Sequence, residues 1–132
     1  MTDKLWSEIK HFVVGEFDSP DDAGSGIKMN IELVKLLDRI RDDCKFPFII
    51  NSGFRTPEHN KRVGGVAGSA HEMGLACDIR TDSSSDRFAI LKAAFKLGVA
   101  RVGLGKDFIH IDIDYSKPQN VAWPYPCGCV KK

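Results

Sequence analysis

The stretch Phe108-Ile109-His110-Ile111-Asp112-Ile113-Asp114 decides the fold. Its strict alternation has the period of a β-strand. Ile109, Ile111 and Ile113 fall on one face and Phe108, His110 and Asp112 on the other. A strand with an all-isoleucine face needs a core to cover it, so its polar face carries chemistry on a rigid backbone.

Upstream, Leu75-Ala76-Cys77-Asp78-Ile79-Arg80 repeats the pattern. Cys77 and Ile79 face the core, while Ala76, Asp78 and Arg80 share the other side. Val99 to Leu104 reads as a third strand, joined to the Phe108 strand by a tight turn at Gly105-Lys106. Phe46 to Ser52 is a short apolar run of strand type, with Pro47 favouring its beginning or an edge.

Helices precede and interleave these strands. Met29, Leu33, Leu37, Ile40 and Cys44 form a stripe at helical spacing. Thr56-Pro57 opens a short helix that stops at Gly64-Gly65. Ser83–Ser85 cap a helix carrying Phe88, Leu91, Ala94 and Phe95 and ended by Gly98. Leu5, Trp6, Ile9, Phe12 and Val13 predict one more helix over 4–14. Residues 16–26 read as a loop, and the proline-bearing tail from Pro118 lies extended across the body. The order predicts an α+β fold with a mostly antiparallel sheet and helices packed on one face.

At 132 residues the chain is one domain, 1–132, with an extended tail from about 115. Nineteen basic against 18 acidic residues leave a net charge of +1 and no broad field to attract nucleic acid. No stretch approaches the ~18 apolar residues that span a membrane. The first residues lack a basic start followed by an apolar run, so no secretory signal is read and the expected site of synthesis is the cytosol. Cys44 and Cys77 fall on buried positions and read as free thiols. Cys127-Gly128-Cys129 lacks the second pair that a zinc knuckle needs.

The polar strand faces carry the chemistry. His71 precedes Asp78 by seven positions, with Gly74 between them to let the chain turn back. His110 comes from a neighbouring strand. One aspartate and two histidines make a three-ligand zinc site with an open fourth position, the mark of catalytic zinc. His71-Glu72 invites comparison with HExxH, but the second histidine would fall at Leu75, so Glu72 is not the base by that route. Asp107 and Asp112 are the two carboxylates near His110. By alternation Asp107 falls on the isoleucine face unless it sits in the turn; Asp112 is the rival base or an outer-shell partner.

The run Ser69-x-His71-x-x-Gly74-x-Ala76-x-Asp78, followed by an acid three residues before His110, resembles the zinc D-Ala-D-Ala peptidases. These include D-Ala-D-Ala carboxypeptidases, vancomycin-resistance dipeptidases and phage L-alanyl-D-glutamate endolysins, with the hedgehog domain as a structural cousin. The resemblance spans roughly Phe17 to Asp114. It implies that His71, Asp78 and His110 bind Zn2+ and that Asp107 is the catalytic base. It further implies that Arg55, in Ser52-Gly53-Phe54-Arg55-Thr56-Pro57, holds substrate oxygens and that Ser69 binds the substrate backbone. His59 takes an outer-shell or surface role.

The expected activity is hydrolysis of bacterial cell-wall stem peptides, of D-Ala-D-Ala carboxypeptidase or L-Ala-D-Glu endopeptidase type. The expected partner is the peptidoglycan stem peptide or a D-Ala-D-Ala-containing peptide, met by a monomer released to the wall in phage lysis or carried in a virion. The alternative is an inactive, hedgehog-like binding module that keeps the metal.

Overall fold

Three capped helices and five strands share one core in the computed structural model, which describes residues 5–125. Helix α1 (Ile31–Cys44) starts where the Asn30 side chain accepts the N–H groups of Glu32 and Leu33. Its stripe of Leu33, Val34, Leu37 and Ile40 is fully buried. Thr56 caps α2 (Pro57–Arg62) by accepting from the His59 N–H. Ser83 caps α3 (Ser84–Lys96) through the Asp86 N–H, and Ile90, Ala93 and Ala94 turn inward.

The strands are β1 (Ile50–Ser52), β2 (Ala76–Arg80), β3 (Arg101–Leu104), β4 (Phe108–Asp112) and β5 (Val121–Pro124). They lie in the order β1-β2-β4-β3-β5. Every pairing is antiparallel except β3 with β5, which is parallel. The α+β architecture with a mostly antiparallel sheet is as the sequence predicts. Cys77, Ile79, Ile109 and Ile111 join the α1 and α3 stripes in one apolar cluster. Each such isoleucine stabilises the fold by roughly 1.5–3 kcal/mol. The opposite sheet face is thereby free to carry polar groups.

Three segments depart from expectation. Of the helix expected over 4–14, Leu5 and Trp6 are helical, but the chain then turns and next winds only as a 3-10 turn at Val14–Phe17. The N–H groups of Lys10 and His11 bind the Asp38 carboxylate at 3.0 and 2.8 Å instead of upstream carbonyls. Trp6 and Phe12 then pack against Phe17, with ring centroids 5.7 and 5.4 Å apart. The 46–52 strand shortens to Ile50–Ser52, because Phe46 and Phe48 join the aromatic cluster. Of the expected extended tail, Val121–Pro124 forms an edge strand, and the residues beyond 125 lie outside those described.

Cys77 is buried and Cys44 half-buried, both as free thiols. Cys127 and Cys129 lie outside the described residues. Among the described residues no helix is long and apolar enough to cross a membrane.

Candidate metal centre and active-site cleft

Strand register sets the site. Asp78 on β2 pairs with His110 on β4, and His110 pairs with Gly103 on β3. Ser52 continues that row beyond Asp78, and Trp123 continues it beyond Gly103. A line of chemistry thus crosses all five strands on the face away from the isoleucines.

His71 arrives from a 3-10 turn, Ala70–Met73, closed by Gly74 in a left-handed conformation at φ 72°. A side chain at Gly74 would also strike the Lys28 carbonyl oxygen, so only glycine turns the chain here. The Arg55 N–H donates to the His71 carbonyl, and His71 Nδ1 donates to the Gly53 carbonyl at 2.8 Å. A carbonyl only accepts, so Nδ1 carries the proton and Nε2 is the lone-pair nitrogen. That Nε2 is buried without a hydrogen-bond partner, 3.4 Å from Asp78 Oδ1.

His110 is arranged in mirror fashion. Its Nε2 lies 2.7 Å from Asp112 Oδ2, and its Nδ1 faces Asp78 Oδ1 at 2.9 Å. One donor atom from each of His71, Asp78 and His110 lies within 4.8 Å of the others, and all three residues are buried. Each imidazole is therefore held by one nitrogen and presents the other to a shared carboxylate oxygen. An orphaned buried nitrogen beside such an oxygen makes a donor set that could hold a metal ion, with its outer partners in place.

Electrostatics agree with the geometry. Burial pushes the His71 pKa down, so its ring stays neutral. Burial also opposes charge on His110, but hydrogen bonds to Asp112 and Asp78 prevail and raise its pKa. For Asp78, burial is outweighed by the two histidines, and its carboxyl is held well below the usual range.

Arg55 lies at the back of the cluster, only 2% exposed. Its guanidinium donates to Ser52 Oγ at 2.9 Å and Asn60 Oδ1 at 3.1 Å, and reaches Asp78 Oδ2 at 3.5 Å. It braces Asp78 from behind and is not among the residues lining the cleft. Ser69 does line the cleft, and its hydroxyl donates to Asn60 Oδ1 at 3.2 Å. Asp107 is not brought to the cluster. It sits exposed in the β3–β4 turn, where its carbonyl accepts the Thr81 N–H. Three residues of strand put it about 10 Å along the chain from His110.

Sequence reasoning missed four residues here. Asn60 ties Arg55 and Ser69 to Glu72 and the Val66 carbonyl. Arg101 Nε donates to Asp112 Oδ1 at 2.6 Å, while its Nη1 holds the Pro118 carbonyl. Trp123 and Tyr125, two apart like strand neighbours, bring their rings to 5.5 and 6.4 Å from the His110 ring. That spacing was the available signal for the aromatic pair.

The cleft has a volume of about 260 Å³ and is lined by His71, His110, Asp112, Ser69, Trp123 and Tyr125 among others. Asp112 is the carboxylate on that lining among the described residues. The arrangement suits a metal-dependent hydrolase: buried ligands, an adjoining cleft, and polar groups along one side.

No curated protein matches the chain. A family model described as Peptidase M15 matches residues 10–112, which take in the whole cluster, and the chain belongs to that peptidase family.

Proposed function

We propose that the chain is a zinc-dependent peptidase that hydrolyses peptide bonds in bacterial cell-wall stem peptides, acting as a single domain and a monomer. The observation that carries this reading is the pair of histidines held from behind, each turning one nitrogen toward Asp78 Oδ1. Zinc bonds of about 2.1 Å in tetrahedral geometry set neighbouring ligand atoms about 3.4 Å apart. His71 Nε2 lies 3.4 Å from Asp78 Oδ1, and His110 Nδ1 lies closer, at 2.9 Å. His71 Nε2, Asp78 Oδ1 and His110 Nδ1 would hold the ion, which when bound lowers the pKa of water and polarises a carbonyl.

The chain's own residues then do the following. Asp112 keeps the Nε2 proton on His110 and so aims Nδ1 at the site. Against burial, hydrogen bonds from His110 and then Arg101 lower the Asp112 pKa and favour its ionised form. Ser69 offers a hydroxyl to the substrate backbone from the cleft lining. Arg55, expected to grip substrate, instead fixes Asp78. The base role expected of Asp107 gains no support from its exposed position in the turn.

The test is to incubate metal-replete and chelated protein with purified peptidoglycan and identify the released fragments by mass. Cleavage lost on chelation and restored by zinc is expected, and the new terminus names the bond. Stoichiometric zinc without cleavage would instead favour a metal-containing binding module.

A further inference from the structure

Beyond residue 112, where the family match ends, the chain adds β5 and brings two aromatic residues to the cleft. The backbone there is fixed at both ends. Val121 N–H donates to the Ala100 carbonyl and Tyr125 N–H to the Leu104 carbonyl, each at 3.0 Å.

Gly103, opposite His110, makes room for the pair. A Cβ at that position would lie 2.6 Å from Tyr125 Cε2 and 2.8 Å from Trp123 Nε1. The Tyr125 ring packs 5.1 Å from Phe108 and 6.4 Å from His110, between centroids. Its phenol shares a hydrogen bond with the Trp123 side chain. The Tyr125 side chain is thus held on the cleft lining with its ring beside His110, on backbone tied to β3.

We propose that the Tyr125 hydroxyl is a catalytic hydrogen-bond donor to the oxygen of the scissile carbonyl. In peptide hydrolysis water adds to the carbonyl carbon and the π pair moves onto that oxygen. The C–N bond then breaks, the pair re-forms the carbonyl, and the amine leaves with a proton from water. Tyr125 keeps its own proton throughout. Its hydrogen bond strengthens as the oxygen gains charge, which lowers the barrier without tightening ground-state binding. This assignment rests on the peptidase reading above.

The experiment compares wild type with Tyr125→Phe, which keeps the ring packing. It reads zinc content, kcat and KM on a stem peptide, and calorimetric affinity for a phosphinic peptide that mimics the tetrahedral state. The expected result is a loss of roughly 100-fold in kcat, KM within about twofold, unchanged zinc content and a matching loss of phosphinate affinity. Trp123→Phe, which removes the indole N–H but keeps a ring, should lower kcat by a smaller factor. An active wild type with an unimpaired Tyr125→Phe variant, or one altered only in KM, overturns this role alone. A zinc-loaded wild type that cuts no stem peptide overturns the peptidase reading and this role with it.

Discussion

His110 and Asp112, two residues apart on the polar face of β4, are joined by a 2.7 Å contact between Nε2 and Oδ2. The contact fixes which nitrogen of His110 remains for a metal. It also gives Asp112 a job that leaves little for base catalysis. Its other oxygen is taken by Arg101 and by the Asp114 N–H. Burial favours the neutral acid, but hydrogen bonds from His110 and Arg101 prevail and lower its pKa.

Asp112→Asn should therefore act through the metal. An amide oxygen still accepts the Nε2 proton but no longer carries charge, and Arg101 loses its ion pair. The expected loss is about 10- to 100-fold in zinc affinity or activity, with part of the activity recovered at high zinc. Competition for zinc against a fluorescent chelator measures it. Wild-type affinity in the variant would show that the contact does not tune the site.

Asp107→Ala should leave both zinc binding and turnover within about twofold of wild type, as exposed substitutions usually do. The side chain sits in the β3–β4 turn outside the cleft lining. A loss of turnover beyond 100-fold with zinc still bound would return the base role to Asp107. The same assays on Asp112→Asn and Asp107→Ala make the comparison direct.

Arg55 separates two mechanisms through its stability. A guanidinium that grips substrate can be removed at little cost to the fold, whereas one buried against Asp78 cannot. Arg55→Ala leaves Asp78, Ser52 and Asn60 without their shared donor, at a cost of about 3 kcal/mol or more. Urea titration of the metal-free variant should show the midpoint falling with an unchanged slope. A variant as stable as wild type but with a raised KM would reinstate the substrate role.

What the sequence revealed, and what it hid, follows from the range of the interactions. The period-two pattern of β4 and the caps Thr56 and Ser83 are local, and they appear in the structure as read. Asp78 and His110 come together because alternation and antiparallel register are both regular. The helical spacing over 4–14 misleads because the Lys10 and His11 N–H groups are taken by Asp38, 28 and 27 residues away. Asp107 sits in the turn before β4, as the alternation requires, but its spacing from His110 does not say how far that turn carries its side chain from the cluster. The spacing of Trp123 and Tyr125 marks a strand, but it does not say that this strand joins β3 in parallel beside His110.

The histidine–carboxylate cluster also predicts how zinc and pH act together. In the metal-free protein His110 faces acceptors on both sides, and its pKa is raised above the ordinary 6.5. A raised folded pKa means that protonated His110 stabilises the fold fully below about pH 6.5, its unfolded value. That contribution is lost as pH rises through the folded pKa. Zinc needs the same Nδ1 without its proton, so binding expels a proton and strengthens with pH. The rise in melting temperature given by excess zinc should therefore be small near pH 5.5 and grow steadily to about pH 8, as ligand-linked stability requires. Scanning calorimetry with and without zinc across that range measures it. His110→Ala should abolish the increment, and an increment in wild type independent of pH would exclude His110 Nδ1 as a ligand.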